Sequence, residues 1–283
     1  MSKKLGVFII HGMGDPDPNY ADGLIKQVSK RLGTAEQEVE FEVCYWAPIL
    51  QDQQNVTWRR LLQSNTMQAK SFRKWIVSAL GDPASYLSGY FKANKPVYGA
   101  IHECVRVSLE RLATRLGKAE ADTKPLMILA HSLGSVIISN YIWDQHYNKK
   151  EKNVGYGKTP FERTETLTSF ITFGSNIPLF LPPAPPIKCI PFPHEKLPEY
   201  LKPEARWQNV FDPDDVLGYP LQHIWDEPQG TTIEDITINA GMWPASETPF
   251  SHTAYIRDDD FLDIVEERMK AILAVTAPVV AGQ

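Results

Sequence analysis

Pro125-Leu126-Met127-Ile128-Leu129-Ala130-His131-Ser132-Leu133-Gly134 is the stretch on which the reading of this chain turns. Leu126 to Ala130 are five apolar residues in succession, the pattern of a parallel strand buried on both faces. The run breaks at His131 and Ser132, and Gly134 follows. Val136, Ile137, Ile138, Tyr141, Ile142 and Trp143 then read as a buried helix. A serine between a core strand and a core helix sits at a sharp turn. Such a turn lifts the hydroxyl clear of the sheet and aims the first helical amides at whatever the hydroxyl attacks. An N-capping serine without further role gives the same local pattern.

Ala130-His131-Ser132-Leu133-Gly134 resembles the Gly-x-Ser-x-Gly nucleophile elbow of the α/β-hydrolases, in particular lipase- and serine-esterase-like members, with alanine at the first position. That position needs a small side chain, and alanine adds one methyl. The resemblance implies Ser132 as nucleophile. It also implies a fold class: α/β, a single α/β-hydrolase domain over 1–283, with about six mainly parallel strands flanked by helices and a helical insertion after the second strand. The family's third strand corresponds to the first one here, so the usual leading hairpin is not expected.

Upstream, Leu5 to Ile10 reads as a second buried strand, ending in His11-Gly12-Met13-Gly14. The glycines allow backbone to come close to a ligand oxygen. In the family the loop after this strand supplies one oxyanion-hole amide. The resemblance therefore implies the Met13 N–H together with the Leu133 N–H from the elbow, with His11 and Gly12 beside the substrate. His11 itself reads as a structural hydrogen-bonder rather than a base. Ala21 to Leu32 is an amphipathic helix, and Val39 to Trp46 alternates as a strand near the sheet edge.

Residues 49–95 exceed a simple connection. Trp58, Leu61, Leu62, Phe72, Trp75, Ile76 and Leu80 suggest one or two amphipathic helices stopped by Gly81-Asp82-Pro83. A wall of the cleft, a surface subdomain and a dimer contact all fit this insertion near the active-site edge. Pro96 to Leu116 is a long helix. Within it His102-Glu103-Cys104 is no metal cluster, because adjacent helical residues point to different faces. No metal or other cofactor is expected.

Thr168 to Phe173 is the next strand. It ends in Gly174-Ser175-Asn176, where Ser175 is expected to line the cleft. Nine prolines fall between Pro178 and Pro203 and preclude regular structure, so 178–203 reads as a stiff apolar rim that contains Phe180. Trp207 to Phe211 leads into Asp212-Pro213-Asp214-Asp215-Val216. A triad needs a carboxylate that holds the imidazole in one tautomer. The loop offers three, and the resemblance favours Asp215, with Asp212 as the alternative. Ile233 to Ala240 is a last strand near an edge. His252 lies between it and the closing helix, where the family's histidine lies, and His-x-x-Tyr is a frequent local form. His131, His194 and His223 lack that position. The order Ser132, Asp215, His252 follows the family's.

Composition narrows the function. The net charge of −5 with scattered basic residues argues against a nucleic-acid surface. No stretch reaches the ~18 apolar residues a membrane span needs, and Met1-Ser2-Lys3-Lys4 runs straight into a strand without a leader pattern. Cys44, Cys104 and Cys189 fit neither a disulfide framework nor a zinc pattern, which suggests a reducing, cytoplasmic setting. The expectation is a cofactor-free serine hydrolase acting on a small-molecule or lipid-like acyl ester or thioester. An inactive fold relative serving as a scaffold and an acyltransferase with the same triad are the alternatives. Oligomeric state is left open.

Overall fold

The structure is a computed structural model. It describes residues 2–14, 16–62, 81–86, 95–147, 155–181, 186–228, 230–240, 252 and 254–276. Six strands form one sheet: β1 (Leu5–Ile10), β2 (Val39–Cys44), β3 (Leu126–His131), β4 (Leu167–Phe173), β5 (Arg206–Phe211) and β6 (Ile233–Thr237). Their order is β2-β1-β3-β4-β5-β6, and every neighbouring pair is parallel. The helices are α1 (Asp22–Leu32), α2 (Pro48–Leu62), α3 (Lys95–Gly117), α4 (Leu133–Tyr147) and α5 (Asp259–Thr276). This is the expected α/β class, a parallel sheet covered by helices on both faces.

The sheet divides the core by the two-residue period of its strands. Phe8, Ile10, Ile128, Ala130 and Phe170 point to one side, onto Ile101, Val105 and Leu109 of α3 and Ile137 and Tyr141 of α4. Val7, Ile9, Met127, Leu129 and Ile171 point to the other, onto Leu24 and Val28 of α1 and Phe261, Val265 and Met269 of α5. Both faces of β1 and β3 are therefore apolar. Each buried Val, Leu, Ile, Phe or Met side chain among them contributes about 1.5–3 kcal/mol, more than the differences in local propensity. Edge strands β2 and β6 carry mixed burial, as their alternating sequences require.

Two expected strand ends fall short. β2 stops at Cys44, not Trp46, and β6 at Thr237, not Ala240. The partners explain it: Cys44 pairs with Ile10, the last residue of β1, and Thr237 with Phe211, the last of β5. Residues 81–86, Gly81-Asp82-Pro83 among them, are helical, and the residues before Gly81 on which the expected stop rests lie outside the described ones. The φ that proline imposes is itself helical. Phe72, Trp75, Ile76 and Leu80 lie outside the described residues.

The chain leaves β1 outward to β2, then returns to place β3 on the other side of β1. In an open parallel sheet this reversal leaves a crevice at the carboxyl ends of the two strands. The loop after β1 and the turn after β3 meet there. No described helix is long and apolar enough to cross a membrane.

Candidate active site

Ser132 occupies the single residue between β3 and α4, with φ of 51°. This left-handed backbone is uncommon for a residue with a side chain and is tolerated where packing fixes it. Two glycines permit that packing. A Cβ on Gly12 would stand 2.6 Å from Ser132 Cβ, and one on Gly134 would stand 2.5 Å from the His11 carbonyl oxygen. The β1 loop and the first turn of α4 thus lie backbone against backbone. Neighbouring β4 contributes its Phe173 carbonyl, which accepts from the Ser132 N–H at 3.1 Å. From below, Ser135 Oγ donates to the Ser132 carbonyl at 2.5 Å.

Three residues far apart in sequence meet above this turn. His252 Nε2 is 2.7 Å from Ser132 Oγ, and His252 Nδ1 is 2.7 Å from Asp215 Oδ2. With Nδ1 protonated and facing the carboxylate, Nε2 is left as the acceptor of the serine proton. Asp215 Oδ2 also accepts from the Tyr255 hydroxyl at 2.8 Å, and its Oδ1 from the Leu217 N–H at 3.0 Å. Burial alone would raise the Asp215 carboxyl. Its contacts with His252, Leu217 and Tyr255 outweigh that and hold it below the usual carboxylate range. Small residues make the room: a Cβ on Gly218 would lie 2.7 Å from Asp215 Oδ2, and one on Gly174 would lie 3.2 Å from His252 Cε1.

Asp212, the alternative acid, faces its own turn. Its Oδ1 accepts from the Asp214 N–H at 2.8 Å, and burial pushes its carboxyl up. Asp214 is exposed. Tyr255 links the two acids, because its hydroxyl also accepts from the Asp212 N–H at 3.0 Å. This is the tyrosine of the His-x-x-Tyr pattern.

The other expected site residues divide. Leu133 opens α4, so its N–H belongs to the first turn and has no intrahelical acceptor. Met13 follows Gly12 on the loop against the elbow, and the next amide, Gly14 N–H, donates to Asp82 Oδ2 at 2.7 Å. His11 offers no ring nitrogen to a substrate. Its Nδ1 donates to the Gly12 carbonyl at 2.7 Å and its Nε2 accepts from the Trp46 N–H at 3.3 Å. The ring stacks on Trp46, whose indole N–H donates to the His11 carbonyl at 3.0 Å. His11 fixes the loop rather than facing the cleft. Ser175 is likewise turned inward: its hydroxyl pairs with Ser135 Oγ at 2.8 Å, beneath the elbow. Phe180 is half-buried against the α3/α4 core.

Two contributors escape the sequence reading. His131 Nε2 donates to the His252 carbonyl at 2.7 Å, so the elbow tethers the segment that carries the imidazole. Asn176 Nδ2 lies 3.4 Å from Ser132 Oγ. The strand-end signal that drew attention to Ser175 covers Asn176 equally, but only the turn after Gly174 determines which of the two faces the hydroxyl.

Three buried imidazoles hold their protons much more weakly than a free histidine. Burial lowers His11 to about 4, and His102 and His131 to about 3, from 6.5. An unfolded histidine takes up its proton near 6.5, so below that pH the unfolded chain binds more protons than the folded one. Stability therefore falls as pH drops from 6.5 toward 4 for His11 and toward 3 for the other two. The slope is at most about 1.4 kcal/mol per pH unit for each ring. Urea midpoints at pH 7.5 and 5 should show the loss, and equal midpoints would contradict neutral burial.

No family model and no curated protein matches the chain in sequence. Among solved structures, an acetylxylan esterase at 0.90 Å resolution is similar over 96% of this chain and 100% of its own length, at 10% identity and a TM-score of 0.40. A likeness of that size says nothing of what this chain does.

Proposed function

We propose that this protein is a serine hydrolase that cleaves a carboxylic ester or thioester through an acyl-enzyme. One observation carries the reading: the hydroxyl, imidazole and carboxylate of Ser132, His252 and Asp215 are joined by two hydrogen bonds of 2.7 Å. His252 takes the Ser132 proton as Oγ attacks the acyl carbon. Asp215 holds the ring in the accepting tautomer and stabilises its charged form. The Met13 and Leu133 amides stabilise the developing oxyanion; losing one such donor costs ~10²–10³ in rate. His252 then protonates the leaving group and activates the water that releases the acid.

The flanking segments fit this chemistry as walls of the site. Asp82 ties residues 81–86 to the loop that carries Met13. Ile177–Phe180 continues directly from Asn176, beside the nucleophile. We assign the 49–95 insertion and the 178–203 rim to the mouth, and take the substrate to be a small or lipid-like acyl compound. Three free thiols suit a reducing, cytoplasmic compartment.

A fluorophosphonate probe tests the reading, because it phosphonylates a serine only where a base activates it. The expected result is one adduct, mapped by mass spectrometry to the peptide containing Ser132. A protein left unlabelled after prolonged exposure would refute the assignment.

A further inference from the structure

Asn176 is fully buried and follows Gly174 and Ser175 at the end of β4, beside the elbow. Its Nδ2 makes a long hydrogen bond of 3.4 Å to Ser132 Oγ, while no donor among the described residues reaches its Oδ1. The orientation of the amide follows from the proton count. Ser132 Oγ has a single proton, directed at His252 Nε2. Oγ can therefore meet Asn176 only as an acceptor, which requires Nδ2 toward Oγ and Oδ1 away from it. A buried carbonyl left in this way costs about 1–3 kcal/mol. By amide geometry it stands within about 6 Å of the reacting oxygen. Ser132 itself is only 1% exposed, and the contact at 3.4 Å places the carboxamide directly beside its hydroxyl.

We propose that Asn176 is both a catalytic residue and a substrate subsite. Its Nδ2–H holds a lone pair of Ser132 Oγ, and its Oδ1 accepts a hydrogen bond from an N–H or O–H that the substrate carries one or two bonds from the scissile carbonyl. The preferred substrate class is accordingly an ester or thioester of an N-acylamino or hydroxy acid, not of a plain fatty acid. This rests on the serine-hydrolase reading and adds to it the chemistry recognised beside the carbonyl. An acyl carbon bonded to Oγ brings its own α-substituent to the height of the carboxamide, where a donor would satisfy the unpaired oxygen. A methylene there would leave it unsatisfied.

Two activated esters isolate the effect: 4-nitrophenyl N-acetylglycinate and 4-nitrophenyl 4-oxopentanoate differ only by N–H against CH₂. Intrinsic reactivity cancels when the kcat/KM ratio of the pair in wild type is divided by the same ratio in Asn176→Leu. That quotient is expected to be about tenfold in favour of the N–H ester. Asn176→Asp retains an acceptor but removes the donor. It should keep the preference while fluorophosphonate labelling of Ser132 slows about tenfold. If the leucine variant fails to fold, Asn176→Ala replaces it. A quotient near one with Ser132 labelled, or turnover of neither ester with Ser132 labelled, overturns the subsite and leaves the hydrolase reading standing. Ser132 unlabelled in the wild type overturns the hydrolase reading and the subsite with it.

Discussion

Alanine in place of Ser132 is expected to lower kcat by about 10⁶-fold on any ester the wild type turns over, and to abolish fluorophosphonate labelling. Removal of Oγ takes away the proposed nucleophile and the atom to which His252 Nε2 and Asn176 Nδ2 are both bonded. The other contacts of the turn are made by backbone: the Ser132 N–H to Phe173 and its carbonyl from Ser135. Alanine keeps both and tolerates the φ of 51° no worse than serine. The variant should therefore fold, and circular dichroism will separate lost chemistry from lost structure. A folded Ser132→Ala protein that still hydrolyses at the wild-type rate would end the proposed mechanism.

The second large effect is expected at the acid. Asp215→Asn should reduce kcat by about 10⁴-fold, while Asp212→Asn stays near wild type. Among the described residues, the groups bonded to the Asp215 carboxylate are all donors: His252 and Tyr255 to Oδ2, and Leu217 N–H to Oδ1. An amide NH₂ placed toward His252 forces the ring to accept at Nδ1, which puts its proton on Nε2, where the serine proton must go. Placed toward Leu217, the NH₂ meets an N–H head-on. Neither orientation is neutral. The Asp212 carboxyl serves its own turn through the Asp214 N–H, and an asparagine oxygen accepts that bond as well. Steady-state kinetics on both variants checks this, and a reversed pattern would transfer the acid role to Asp212.

Much of this site was legible in the sequence because it is written in short contiguous patterns. The apolar run Leu126 to Ala130 with the serine turn after it needs no distant partner to be read. Asp215 and His252 are harder, because an acid or a histidine in a loop has no local signature. Only their order along the chain, taken with the family resemblance, singled them out. Ser175, expected to line the cleft, illustrates the limit of local reading; His11 was read as a structural hydrogen-bonder, and only its partners were hidden. Both stand at strand ends beside Ser132, where Trp46 engages the His11 ring and Ser135 the Ser175 hydroxyl. Trp46 lies 35 positions from His11, and Ser135 lies 40 from Ser175, so no local pattern could foretell either pairing.

The sequence by itself determined the strand and helix content of the core and the place of the elbow. Hydrophobic period and glycine spacing act within a few residues, where backbone geometry leaves little choice. The tertiary structure alone decided where side chains from separate strand ends point. Asp215 rather than Asp212 meets His252, His131 holds the His252 carbonyl, and Asn176 reaches Ser132. Those outcomes depend on how the ends of β3, β4 and β5 lie side by side in the parallel sheet. The register of that sheet is fixed by burial on both faces, not by the polar residues whose directions it sets.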